Sequence, residues 1–283
     1  MTNWPVGIST GCFYRKNILE CLESIRSGGF SLIEVSSAPE HLDFHNHTIV
    51  REVAARVEYL GLEVFSFHAP LSNQIDISSS NPSCREFSLG EILHAVDAAA
   101  ILGVHYFVIH PGPEDSIIPP TTERLKRLEN VIETLGLVAR RCAERGIGCV
   151  LENKLPHLLF GNVRDILWIL DSLDNPQVGV CLDTGHASLS GGLHQIVHAL
   201  APQIWMVHAH DNNGHADDHY PPGDGRIDWN SLLKELMHIH FHGTLMLELA
   251  GCSDAVITMA GALRGRSFLR RIARRLALER FTS

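Results

Sequence analysis

Short β-branched runs alternate with longer amphipathic stretches eight times along this chain, and that alternation limits its possible folds more than any other feature. The first unit is Val6-Gly-Ile-Ser-Thr followed by Asn17 to Ser27, where Ile18, Leu22 and Ile25 recur at helical spacing. Further strands are predicted at Leu32–Val35, Glu63–His68, Val104–His110, Gly148–Glu152, Val178–Asp183, Ile204–His208 and Thr244–Leu249. Helices are predicted between them at about 48–60, 84–102, 121–145, 162–173, 192–200, 229–240 and 255–279. Strands that alternate with helices pair in parallel, and eight such units close a barrel. The expectation is one (β/α)8 TIM barrel domain over residues 1–283, a length that suits this fold. With 45% hydrophobic and 19% charged residues, the chain can bury a large core.

Residues that ligate metals fall where these strands end. They are His68, His110, Glu152, Asp183, His186, His208, Asp217, His219 and Glu248. In a TIM barrel the active site forms at the carboxyl-terminal ends of the strands, so these side chains would meet at one rim. Buried imidazoles and carboxylates are costly unless paired or metal-bound, and a shared cation accounts for their common placement. Imidazole and carboxylate together suit zinc, manganese or iron.

The longest irregular segment, His210 to Asp228, carries Asn212-Asn-Gly and Pro221-Pro-Gly-Asp-Gly225. Structureless loops of this length in compact domains are usually functional. Among His208, His210, Asp211, His215, Asp217, Asp218 and His219, sequence alone leaves open which bind an ion and which brace the loop. Lys154, just past Glu152-Asn153, is placed to meet a substrate phosphate or carboxylate, or else is a solvated loop lysine.

The order of these motifs resembles the xylose-isomerase-like barrels, which include endonuclease IV and many sugar isomerases and epimerases. The resemblance rests on Phe67-His-Ala-Pro70, Ile109-His-Pro-Gly112, Leu151-Glu-Asn153, Cys181-Leu-Asp-Thr-Gly-His-Ala187, His208-Ala-His-Asp211, Asp217-Asp-His-Tyr-Pro-Pro-Gly-Asp-Gly225 and Glu248. The endonuclease IV pattern holds three metal ions with five histidines and four acidic residues, and the nine residues named above match it position by position. By that resemblance Glu152 and Glu248 would bridge metals. The epimerases hold one ion, here with Glu152, Asp183, His208 and Glu248. They usually have a substrate-binding arginine four residues before the Pro-Gly glycine, where this chain has His219.

Three activities follow as expectations. The leading one is a hydrolase with two or three zinc or manganese ions, cleaving a phosphoester of a sugar phosphate or other small molecule, since clustered metals stabilise in-line phosphoryl displacement. The alternative is a single-metal sugar or sugar-phosphate isomerase or epimerase, with Glu152 and Glu248 as the catalytic acid and base and Lys154 and His210 contacting substrate. The third, an abasic-site DNA endonuclease, is disfavoured. Leu71 stands where that family inserts an aromatic, Ser36–His41 lacks an arginine, and net charge is −9.

Seven scattered cysteines (Cys12, Cys21, Cys84, Cys142, Cys149, Cys181, Cys252) with no C-x-x-C pair predict reduced, mostly buried thiols rather than a disulfide framework. The amino terminus lacks a basic region leading into an apolar stretch, and no segment approaches a membrane span, so a cytoplasmic protein is expected. Arg264, Arg266, Arg270, Arg271, Arg274 and Arg275 alternate with Leu263, Phe268, Leu269, Ile272 and Leu276, predicting an amphipathic last helix with a solvated basic face.

Overall fold

Eight parallel strands close on themselves in sequence order: β1 (Val6–Ser9), β2 (Leu32–Ser36), β3 (Glu63–His68), β4 (Tyr106–Ile109), β5 (Gly148–Glu152), β6 (Val178–Asp183), β7 (Ile204–Ala209) and β8 (Thr244–Leu247). The computed structural model describes residues 4–114, 117–251 and 254–282. Closure comes from β1 against β8, with Val6 opposite Leu245 and Ile8 opposite Leu247. The outer ring is α1 (Ile18–Ser27), α2 (His47–Tyr59), α3 (Pro82–Leu102), α4 (Thr121–Glu144), α5 (Val163–Leu173), the short α6 (Thr184–Leu189), α7 (Leu193–Leu200), α8 (Trp229–His238) and α9 (Ala255–Thr282). The chain is a TIM barrel.

Asparagines set several helix starts. Asn17, Asn46, Asn81 and Asn162 each accept a backbone N–H of the first turn of α1, α2, α3 and α5, satisfying donors that a helix cannot pair internally. Each cap stands in the loop leaving a strand, so it also fixes how that loop leaves the rim.

The barrel interior is layered. Val108, Val150, Cys181, Met206 and Met246 form a buried apolar cluster inside it. Side chains of a strand repeat their facing every second residue, so the next inward positions are His110, Glu152, Asp183, His208 and Glu248. The apolar layer is therefore the floor beneath the polar one. Below it, Trp205 fills space that a side chain at position 179 would occupy, since a Cβ on Gly179 would lie 2.2 Å from the indole.

Strands β4 and β8 are shorter than the predicted 104–110 and 244–249. Their ladders end at Ile109 and Leu247, so His110 and Glu248 stand one residue beyond regular pairing, at the start of the loops. Helix α6 has no counterpart among the predicted elements. Asp183 caps it by accepting the His186 N–H at 2.7 Å, so Asp183 and His186 are joined by a helical turn rather than an open one.

Helix α9 buries Leu269, Ile272, Ala273 and Leu276 and exposes five of its six predicted arginines. Arg266 instead donates to the Gly28 and Gly29 carbonyls and lies over Phe30. Cys12, Cys21, Cys142, Cys149 and Cys181 are buried free thiols and Cys84 is partly buried; Cys252 lies outside the described residues. Among the described residues, no helix is long and apolar enough to cross a membrane.

Candidate metal centre

All nine residues predicted from strand ends and from the long loop meet at the carboxyl-terminal rim, in three neighbouring groups of which the first two share Glu152. The first is His68, His110 and Glu152. Both imidazoles bring Nε2 to within 3.2 Å of Glu152 Oε2. The second is Glu152, Asp183, His208 and Glu248. There His208 Nδ1 lies 3.3 Å from Glu152 and 3.1 Å from Glu248. The third is His186, His210, Asp217 and His219. His186 and His219 approach Asp217 Oδ2 at 3.2 and 3.0 Å. Within each group one ligand atom per residue lies within 4.8 Å of the others, which is the spacing a shared ion requires.

Each predicted histidine ligand is fixed through its other ring nitrogen. His68 Nδ1 donates to the Ala69 carbonyl, His186 Nδ1 to that of Asn153 and His219 Nδ1 to that of Glu248, each at 2.9 Å. His110 Nδ1 meets Glu114 at 2.7 Å, and His208 Nε2 meets Glu34 at 2.9 Å. An outer partner of this kind sets tautomer and ring direction, leaving the inward nitrogen with a lone pair for a cation. Glu34 was missed by sequence reading. It is a fully buried carboxylate on β2 that also accepts from Ser66 Oγ at 2.8 Å. The available signal was a charge inside the apolar run Leu32–Val35, which is costly without a partner.

The long loop separates its residues into ligands and braces. Asp211 is buried and accepts from the backbone N–H groups of Asn212, Gly223 and Ile227 and from Trp229 Nε1, at 2.8–3.0 Å. Its backbone pairs both ways with Tyr220 at 2.8 Å. Asp211 is thus committed to holding the loop closed. Asp218 accepts from Asn213 N, and His215 is exposed; neither joins a group of candidate ligands. The closed loop presents Asp217 and His219, the latter at φ 49°, a strained region for a non-glycine residue. Its hydrogen bonds to Glu248 and to Ala250 hold it there.

Two expected substrate contacts stand elsewhere. Lys154 is buried, and its ammonium donates to the Gly112 carbonyl at 3.1 Å and to that of Pro113, beside Glu114 at 3.3 Å. It is not a solvated loop lysine, and its donors are committed to protein oxygens. His210 is fully buried, bonds Asp183 Oδ2 at 2.8 Å and stacks on the His219 ring at 3.8 Å. It lies among the third group of donors rather than along a cavity wall, because Asp183 draws it inward.

Unpartnered atoms test whether the site fits a cation. His110 Nε2, His208 Nδ1, His210 Nδ1 and Asp217 Oδ1 are buried without a hydrogen-bond partner. Such atoms cost about 1–3 kcal/mol each, and all four face the groups described. A bound ion would satisfy them, so the residues fit a metal. Cys181, which also adjoins Glu152 and His208, is a poorer ligand because burial pushes its thiol up toward the neutral form.

Charge within the site is shared between rings and carboxylates. Burial opposes a charged His68, yet the carboxylates of Glu152, Glu34 and Glu248 together outweigh burial and raise it to about 9. His219 is raised to about 9 by Asp217 and His186 to about 10 by Asp183, in each case against burial. Burial likewise opposes ionisation of Glu152 and Glu248, but His208 beside them holds both below the usual carboxylate range. Without an ion the imidazolium protons do the neutralising, and those protons must leave when a cation binds.

The family described as Xylose isomerase-like TIM barrel matches residues 22–272. The chain belongs to that family. Within the xylose isomerase-like barrels it is similar to the ketose 3-epimerase of Arthrobacter globiformis, with 26% identity over 84% of this chain and 80% of that protein. It is also similar to a probable endonuclease 4 of Mycobacterium ulcerans, with 27% identity over 63% of this chain and 70% of that one. The crystal structure of a D-tagatose 3-epimerase-like protein superposes with a TM-score of 0.80 at 25% identity, covering 94% of this chain and 98% of the other. Relatives whose names give an activity are ketose 3-epimerases and probable endonucleases 4, and this chain is an enzyme of the same superfamily.

Proposed function

We propose that the protein is a divalent-metal-dependent sugar isomerase or epimerase in which Glu152 and Glu248 exchange a proton with the carbon beside the substrate carbonyl. The observation that carries this reading is the convergence of Glu152, Asp183, His208 and Glu248 on one point. That point lies beside a cavity of about 340 Å³ lined by His68, His219 and Glu248. Similarity to proteins named ketose 3-epimerase and D-psicose 3-epimerase supports it.

Glu152, Asp183, His208 and Glu248 would hold the ion, whose chemistry when bound is to polarise substrate oxygens and so acidify the neighbouring C–H. The oxygen-rich donor set suits manganese. The protein groups do the rest. Both glutamates are held ionised by His208 and so can accept a proton. Glu248 is partly exposed to the cavity while Glu152 is buried behind it. One carboxylate would take the proton from carbon, while the other, having first picked up a proton from solvent, would deliver it to the opposite face and so invert the carbon; the first would then lose its proton to solvent. The apolar layer beneath, with Val150 and Met206, keeps bulk water from entering from below.

A second reading, a phosphoester hydrolase with two or three ions, is favoured by the additional groups. His68 with His110, and His186, His210 and Asp217 with His219, supply more donors than one ion uses, and their imidazoles suit zinc. One experiment separates the two. Metal-reconstituted protein is incubated in D2O with a panel of ketoses and, separately, with sugar phosphates, and both are followed by NMR. The proposal expects deuterium at the carbon beside a ketose carbonyl, abolished by Glu248→Gln. Release of inorganic phosphate without exchange would replace it with the hydrolase.

A further inference from the structure

His210 carries the signature of a metal ligand, although the motif order assigns it no ion. Its Nε2 meets the Asp183 carboxylate at 2.8 Å. A carboxylate oxygen accepts, so in the neutral ring Nε2 holds the proton and Nδ1 keeps its lone pair. The five predicted histidine ligands are turned by an outer partner in the same way. Nδ1 of His210 is buried without a hydrogen-bond partner, and 3.9 Å away stands Asp217 Oδ1, buried and unpartnered as well. That distance is too long for a hydrogen bond. Two acceptor atoms that face one another in a dry place, each with a lone pair, call for a cation.

The segment Asp183-Thr-Gly-His186 is shaped around this ring. Thr184 Oγ1 accepts from the His210 backbone N–H at 3.1 Å and donates to its carbonyl at 2.7 Å. A Cβ on Gly185 would lie 2.0 Å from the His210 ring, so the imidazole fits only over glycine. His186 then stands in the same group of donors, with Asp217 and His219. His210 is therefore held from three sides with Nδ1 left to that group.

Three donors and four do different work. A zinc with three protein ligands keeps a position for water or substrate, whereas a zinc with four is closed and structural. His186, Asp217 and His219 alone would make the first kind. Three imidazoles with one carboxylate suit zinc, in contrast to the oxygen-rich set of Glu152, Asp183, His208 and Glu248. The four residues come from α6, from the end of β7 and from the long loop, so one ion bound by all of them ties that loop to the rim.

We infer that His210 is the fourth ligand of a closed zinc site with His186, Asp217 and His219, which fastens the long loop and offers no position to water or substrate. Asp183 joins the two sites, as a donor in the central group and as the acceptor that orients His210. The donors beyond the central group then need no second reacting ion. This inference concerns a different ion from the isomerase reading and does not depend on it.

Crystals of the unaltered protein grown with zinc test it. The expected result is an anomalous peak about 2.0–2.1 Å from His210 Nδ1, bonded also by His186, Asp217 and His219 and carrying no water. A peak held by those three residues with water in the fourth position, or no peak among them, would overturn the inference. In solution, competition with a chelator follows zinc affinity in His210→Ala. Loss of a ligand should weaken one zinc by more than about a hundred-fold, beyond the roughly 10–100-fold cost of losing an outer partner. A smaller fall makes His210 a brace and overturns the closed site. Failure of the isomerase reading has a different signature: no deuterium exchange while the zinc stays bound by all four residues.

Discussion

Replacing Glu152 by Gln is expected to remove nearly all activity, by about a thousand-fold or more, and to lower the bound metal to less than a tenth of the wild-type content. One carboxylate serves two of the three donor groups, with Oε2 facing His68 and His110 and Oε1 facing His208. An amide in its place keeps the shape but supplies no negative charge to a site with three imidazoles around it. The loss should also reach the folded state of the metal-free protein, because removing one partner from a buried charge cluster costs about 3–5 kcal/mol. For a chain of this size that is roughly 5–15 °C in Tm. Elemental analysis and thermal unfolding of chelator-treated protein check both halves. Wild-type metal content in the variant would rule out the bridging position of this residue.

The second large effect is at Asp211, which touches no candidate ion. Asp211→Ala leaves three backbone N–H groups and the Trp229 indole N–H without their acceptor. Unmade buried hydrogen bonds cost about 1–3 kcal/mol each, reduced where water can enter. The expected result is that the segment 212–226 opens locally, exposing it to protease, while the barrel stays folded. Asp217 and His219 leave the third group as it opens, whereas Glu152, Asp183, His208 and Glu248 remain. The variant should therefore keep the ion of the four-residue group and lose any ion held by His186, Asp217 and His219. Gly225 belongs to the same device, since a Cβ there would lie 2.3 Å from Asp211 Oδ1. Limited proteolysis with metal analysis tests the prediction, and a protected loop with full metal content would contradict it.

The barrel was legible because strand and helix periods are local properties of sequence. Val178–Asp183 and Glu63–His68 could be delimited to the residue from their composition and from the polar residue closing each. The placement of the candidate ligands at strand ends was legible for the same reason, since inward facing follows from a two-residue repeat once the floor residues are known. What escaped depends on contacts distant in sequence. Asp211 and Asp217 are the same residue type in one loop, and only the fold of that loop back onto Tyr220 makes one a brace and one a candidate ligand. Glu34 is separated from His208 by 174 positions, and nothing near it in the chain announces the pairing. Lys154 read as a substrate contact or else a solvated lysine, and only the carbonyls of Gly112 and Pro113, distant in sequence, show where its ammonium is held. Helix α6 escaped because Thr and Gly are weak helix formers, and its start depends on the Asp183 cap.

The central claim is that Glu152, Asp183, His208 and Glu248 hold a divalent ion at the floor of the inner cavity. Anomalous diffraction from crystals grown with manganese tests it most directly. A peak within coordination distance of all four side chains is the predicted result. A metal-saturated crystal whose peaks all lie elsewhere, with these four side chains bonded only to one another, would contradict it.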